Sequence, residues 1–180
     1  MDLEPTEDQV ALVEELRRLL ARSQRWDDLA GMGVLALPVP DADGGVGLGW
    51  AEAVLAFQEL GRAHVAGPYV ATAAATAAGL AEGVTGLVPE TAGGPVLVEH
   101  LDAIDSLLAV DGDGVRRVPL PLPGARAVER PLDPGTPVHV VDDLPAGDVV
   151  GDAEAAASLV RSASLLAAAM QVGLGLAAVE

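Results

Sequence analysis

Cysteine is absent from the 180 residues. That removes disulfide bridges, thiolate metal ligation and a Cys nucleophile together. Aromatic side chains are nearly as scarce. One Phe, one Tyr and two Trp leave few platforms for the base stacking used in single-strand nucleic-acid binding. Positive charge is also short: 10 basic residues face 27 acidic ones, a formal net charge of -17. Neither nucleic acid nor an anionic membrane is held without clustered cations, so both partners are excluded. The N-terminal Met-Asp-Leu-Glu-Pro carries acid where a secretory signal needs a basic and then an apolar stretch. No leader is expected, and the expected compartment is the cytoplasm.

What the chain has is Ala, Val, Leu and Gly. Its length allows one or two small domains with a real core. Thr6 starts a helix with Glu7 and Asp8 in the first turn and Gln9 completing a capping box. Val10, Val13, Leu16 and Leu20 then recur at helical spacing, with Arg17, Arg18 and Arg22 toward the C-terminal end. "RWDDLAGMG" predicts a short second helix with Trp26, Leu29 and Met32 on one face, stopped by Gly31 and Gly33. "WAEAVLAFQELGRAH" predicts a third helix with Val54, Phe57 and Leu60 as its core stripe. "GPYVATAAATAAGLAEG" predicts a fourth, built of small residues suited to close packing.

Near Leu87 the pattern changes. "GPVLVEH", "SLLAV", "GVRRVPL", "RAVERPL" and "PVHVVDDL" are short, Val-rich and bounded by Gly, Pro and Asp, as strands are. "AVDGDGVRRV" predicts a hairpin with Asp-Gly at its turn. From Asp152 the pattern is again helical. Its segment "SASLLAAAMQVGLGLAAV", Ser162 to Val179, has no formal charge over a length that could mimic a membrane span. Its Ala, Gly and Ser content, internal Gln171 and the lack of a basic flank after it favour a helix buried on most sides instead. The order gives an α+β fold: helices over 1–86, a small β-sheet region over 87–150, and one terminal helix over 151–180.

The stretch "PVPDADGGVGLGW", Pro38 to Trp50, invites a binding role. As a calcium loop it places Asp41, Asp43 and Glu52 at positions 1, 3 and 12. Gly45 at position 5 supplies no side-chain oxygen, however, and Val46 stands where the turn needs Gly. As a dinucleotide fingerprint it has Trp50 where the third Gly belongs. A connector needing positive φ at several residues is the expected reading. His64, His100 and His139 lack metal-ligand spacing and are expected to be solvated or core-edge residues. The pairs Asp102 and Asp105, and Asp142 and Asp143, are expected to be exposed turn and strand-end residues in so acidic a chain. No nucleophile-elbow or Walker sequence occurs.

Three segments carry a resemblance. "LAGMGVLALPVPDADGGVGLGWAEAVLAFQELGRA" resembles the N-terminal helical domain of the acyl-CoA dehydrogenases. Pro40, Gly44, Gly45, Gly47, Glu59, Leu60, Gly61 and Arg62 fall on the family's "P-x-x-x-GG-x-G" loop and helix ending "ELGR". "AIDSLLAVDGDGV" is similar to the strand and hairpin of the family's middle β-domain. "AAAMQVGLGLAAVE" is similar to the start of the first long helix of its C-terminal bundle, with "A-x-x-x-G" packing.

The resemblance implies FAD-dependent oxidation of an acyl-CoA thioester between its α and β carbons, in fatty-acid or lipid catabolism, by an oligomer. In that chemistry a carboxylate base takes the α-proton and the flavin accepts the β-hydride. The family's flavin-lining "TEP-x-x-GSD" and "K-x-W/F-I-T/S" stretches have only a faint echo here, in "PETAGG" (Pro89 to Gly94). The family's catalytic carboxylate and its groups for the FAD pyrophosphate and adenine lie in the C-terminal bundle, and the sequence stops as that bundle begins. No catalytic, cofactor-binding or metal residue is therefore assigned, Glu180 included. The expectation is a chain inactive alone and without its own flavin. It would be either a piece of such a dehydrogenase or a non-catalytic subunit beside an active one, in a homo- or hetero-oligomer of dehydrogenase-type subunits. An unrelated α+β binding module is the remaining alternative.

Overall fold

Helix α1, Glu7–Leu20, starts where the Thr6 hydroxyl accepts from the Gln9 amide and the Gln9 side chain accepts from Thr6 N, a reciprocal cap that satisfies two otherwise orphaned donors. It opens the computed structural model of the chain, which describes residues 4–90 and 94–180. Contacts divide the chain into two units: Met1–Val65 with Ser164–Glu180, and Ala66–Ala163.

The first unit holds α1, α2 (Trp26–Gly31), α3 (Trp50–Arg62) and the part of α5 (Ala153–Ala177) from Ser164 onward. Leu16, Leu29, Val34, Leu37, Phe57, Leu60 and Leu166 are buried in it. Two polar contacts join α1 to α3. Gln9 Nε2 donates to Glu52 Oε1 at 2.7 Å, and Arg17 makes a two-pronged pair with Glu59 at 2.7 Å on each prong. Small residues bring α3 and α5 together. A Cβ at Gly61 would lie 2.0 Å from the Met170 carbonyl oxygen, and one at Gly173 would lie 1.9 Å from that of Gln58. Only hydrogen in place of a side chain permits so close an approach of two backbones.

Within this unit the expected stripe of α1 is half right: Leu16 and Leu20 are buried, whereas Val10 is exposed. Helix α2 ends at Gly31 with Met32 as its cap, and Gly33 after it takes a left-handed φ of 80°. Helix α5 corrects the sequence reading more substantially. It is not buried on most sides. Leu166, Ala169 and Gly173 form one covered stripe, while Leu165, Val172 and Leu174 stand exposed. By length and composition alone it is the one helix among the described residues that could cross a membrane.

In the second unit, α4 (Tyr69–Ala77) is shorter than its small-residue run, because Gly79 turns left-handed after the cap at Ala78. Seven strands follow: β1 (Thr85–Pro89), β2 (Val96–Glu99), β3 (Ser106–Val110), β4 (Gly114–Val118), β5 (Arg126–Ala127), β6 (Val138–Val141) and β7 (Asp148–Asp152). They form a mixed sheet in the order β1-β3-β4-β7, with β1 parallel to β3, and an antiparallel sheet in the order β2-β6-β5. Val88, Val98, Leu107, Ala109, Val118 and Val141 fill the core that the two sheets share. On the other face of the larger sheet, Leu108, Val110 and Val115 pack against Ala74 and Ala75 of α4 and against Ala156 and Leu159 of α5.

The predicted hairpin is β3–β4, and its turn is closed by the Asp111 carboxylate accepting from Asp113 N and Gly114 N. Strands β1 and β7 escaped the sequence reading. "TGLVP" and "DVVGD" carry Gly, Pro and Asp that read as turns, and pairing with β3 and β4 overrides that preference.

Candidate functional site

The glycine loop is settled by where its amides go. Gly44 N donates to Asp41 O, Gly45 N to Pro40 O, Val46 N to Ala36 O, Gly47 N to Val39 O and Leu48 N to Leu37 O. A phosphate cradle needs unpaired N–H groups aimed at its ligand, and here each points back into the protein. The calcium reading meets the same end at Glu52. Its Oε1 accepts from Gln9 and its Oε2 from Gly49 N at 2.8 Å, so both oxygens are committed. The Gln9 bond, with the backbone donors behind it, holds the Glu52 carboxyl below the usual carboxylate range. Gly44 and Gly47 do take positive φ, at 81° and 73°, and a Cβ at Gly45 would sit 2.1 Å from the Val39 oxygen. The loop is a connector that folds onto the preceding turn.

The "ELGR" end of α3 borders a charged cleft of about 310 Å³ in the first unit, lined by Arg17, Leu20, Glu59, Arg62 and Ala63 among others. Glu59 is 4% exposed and both of its oxygens accept from Arg17. Arg62 pairs with Glu180. Each guanidinium already faces a carboxylate, so the cleft carries no surplus positive charge for an anion. Pairing a buried Glu with an Arg makes this a structural clamp of α1 on α3.

The histidines separate. His64 is exposed, and His100 and His139 are buried in the second unit. No group of three or more metal-ligating side chains occurs among the described residues. Burial pushes the His100 imidazole below its ordinary value, against the pull of Glu99 and Asp133. Asp142 is paired with Arg126, at 2.6 and 2.9 Å, and this hydrogen bonding holds its carboxyl below the usual range. Asp105 accepts from Val84 N at 2.8 Å. Neither aspartate pair sets two carboxylates to share a proton.

Sequence reasoning did not find one juxtaposition. His139 Nε2 lies 3.7 Å from Asp102 Oδ2, at a cleft of about 430 Å³ walled by Leu101, Ile104, Leu120, Leu122 and Ala125. Pairing of β6 with β2, which sets His139 opposite Val98, brings these distant residues together, and no local spacing announces it.

Of the faint flavin-segment echo, Pro89 ends β1 and Glu90 pairs with Arg116, while Thr91, Ala92 and Gly93 lie outside the described residues. A flavin wants flat side chains over its ring and free donors at its pyrophosphate. Every Trp, Phe and Tyr lies at or before Tyr69, and Arg116, Arg117 and Arg126 are tied to Glu90, Glu82 and Asp142. The side chains of these strands do not fit FAD.

Residues 4–85 match the family model described as acyl-CoA dehydrogenase, N-terminal domain. Acyl-CoA dehydrogenase FadE28 of Mycobacterium tuberculosis is 39% identical over 72 residues, which are 40% of this chain and 21% of that protein. Among solved structures, a variant of the Tcur3481-Tcur3483 steroid ACAD is similar with a TM-score of 0.71 and 18% identity, over 96% of this chain and 64% of that one. The ChsE4-ChsE5 complex from Mycobacterium tuberculosis is similar with a TM-score of 0.64 and 20% identity, over 96% and 65%. At those identities the solved structures share the fold. The chain spans just under two thirds of either structural neighbour, and the matched segment about a fifth of the curated relative.

Proposed function

We propose that the chain belongs to the acyl-CoA dehydrogenase family, whose N-terminal-domain model matches residues 4–85, and that it supplies a helical part and a reduced β part to an assembly that oxidises an acyl-CoA thioester with FAD. In this reading the helical domain runs over 1–86, the β-domain over 87–150 and the first bundle helix over 151–180. The setting is the cytoplasm. The 180 residues do not carry the reaction alone.

The observation that carries this reading is the contrast between a kept scaffold and a site that does not fit the flavin. The loop, the Arg17–Glu59 clamp and the Gly61 contact are intact, whereas the β strands offer no Trp, Phe or Tyr ring, and their arginines are ion-paired. No step is therefore derived through the flavin. The unrelated α+β module is set aside by the family match over residues 4–85.

A second reading is favoured by the neighbours. The ChsE4-ChsE5 complex is a pairing of two kinds of chain. By likeness, this chain would be the non-catalytic member beside a complete flavin-bearing subunit. The exposed apolar residues Leu165 and Val172 of α5 support a partner under either reading.

The test is flavin content and turnover of the purified chain, alone and co-purified with its dehydrogenase partner. The chain alone should be colourless and inactive with an acyl-CoA and an artificial electron acceptor, and activity should appear in the complex. One flavin per complex, with turnover lost when the base is substituted in the partner alone, supports the subunit reading. Stoichiometric flavin and turnover from the 180 residues alone would overturn both.

A further inference from the structure

We propose that the cleft beside His139 binds a small apolar alcohol, whose hydroxyl bridges His139 Nε2 and Asp102 Oδ2. The cleft's volume of about 430 Å³ suits a one- or two-ring hydrocarbon, and five of its side chains, Leu101, Ile104, Leu120, Leu122 and Ala125, are apolar. Its polar lining is Asp102, Asp105 and His139.

The 3.7 Å between Nε2 and Oδ2 is too long for a direct hydrogen bond. Two hydrogen bonds of about 2.8 Å to a common oxygen span that gap with an angle of roughly 80° at the oxygen. His139 is 9% exposed, and its Nδ1 is buried with no hydrogen-bond partner among the described residues. Nε2 is thus the ring's one outlet for hydrogen bonding, and a buried polar side chain normally uses such an outlet. The carboxylate across from it places the proton on Nε2, an assignment from the network.

The group that completes this pair must accept from Nε2–H and donate to Oδ2. A hydroxyl does both with one oxygen. A carboxylate or phosphate only accepts, and would face Asp102 and also Asp105 on the rim. No Arg lines the cleft, and the sequence contains no lysine. An ammonium only donates, and would leave Nε2–H unpaired. The anionic end of an acyl-CoA therefore has no place here, and the site is independent of the proposed dehydrogenase role.

Ligand-detected NMR on the full chain would compare cyclohexylmethanol, cyclohexanecarboxylate and cyclohexylmethylamine. The alcohol should bind saturably with Kd of about 1 mM, the others at least tenfold more weakly. Asp102→Ala should weaken the alcohol about tenfold without disturbing the fold, since the Asp102 side chain is 89% exposed. His139→Gln should weaken it similarly; if that variant unfolds, the Asp102 variant decides. Absence of saturable alcohol binding, equal binding of the carboxylate or amine, or an unchanged Kd in Asp102→Ala would each overturn the proposal.

Discussion

Gly61→Ala should destabilise the first unit even though it improves the helix. In an exposed helix interior, Ala is favoured over Gly by about 1 kcal/mol. At Gly61 the new Cβ would stand 2.0 Å from the Met170 carbonyl oxygen and 2.7 Å from its carbon. A close carbon–oxygen contact is about 3.3 Å, so α3 and α5 must part by roughly 1 Å. A gap of that size forfeits a quarter to a half of each dispersion well along the contact. Overpacking of this kind costs about 1–3 kcal/mol or more. A contact as close as 2.0 Å belongs at the upper end of that range, so subtracting the helix gain leaves a net loss of about 2 kcal/mol.

Gly173→Ala meets the Gln58 oxygen at 1.9 Å and should behave alike. Gly175, on the same helix, has nothing within 4 Å, and Gly175→Ala should gain up to about 1 kcal/mol. Native-state hydrogen exchange of α3 and α5 amides reads these local stabilities without assuming that both units unfold together. If Gly61→Ala slowed exchange as Gly175→Ala should, close backbone packing would not be what Gly61 provides.

Arg17→Ala leaves the Glu59 carboxylate buried without its partner and should cost about 2 kcal/mol, below the range for fully buried pairs because Arg17 is half exposed; Glu59→Gln should cost less, and urea midpoints compare them. Gly44→Ala should cost about 1 kcal/mol through its positive φ alone, since its Cβ meets open space, whereas Gly45→Ala also strikes the Val39 oxygen and should cost about 2–3 kcal/mol, read in Trp50 fluorescence on unfolding. Because burial lowers the His100 pKa, the unfolded chain binds its proton first. Stability of the second unit should therefore fall as pH drops through about 6.5 toward the lower folded value; His100→Asn, which suits the residue's left-handed φ of 53°, should flatten that part of the urea-midpoint profile, and an unchanged slope would refute it.

Legibility tracked the range of the interaction. The Thr6–Gln9 cap, the left-handed Gly33 just past α2 and the Asp111 turn are decided within a few residues, and local sequence announces them. Strand β1 is decided by parallel pairing to β3, twenty-one residues away in register (Thr85 to Ser106), and its Gly and Pro argue locally for a turn. The exposed face of α5 was misread for a related reason. Composition cannot separate a helix covered all round from one covered along a stripe, because Ala and Gly are compatible with both. His139 and Asp102 lie on different elements, and only the β2–β6 register brings them to one cleft.

The same physics explains why descent was readable and chemistry was not. The signature residues answer steric demands: Gly45 under the Val39 carbonyl, Gly61 under Met170, Glu59 held by Arg17. Any larger residue at Gly45 or Gly61 moves backbone, so packing alone accounts for glycine at these positions. Side chains that would cover a cofactor answer no such demand, and here the β strands hold small aliphatics and ion-paired arginines instead. Helix α5 belongs to the steric class on one face only. Gly173 and Ala169 fit it to α3, while Leu165 and Val172 point away from that contact and remain exposed. An apolar helix face left exposed carries a hydrophobic cost that is unmet in water. That unmet cost supports a chain that works as a member of an assembly.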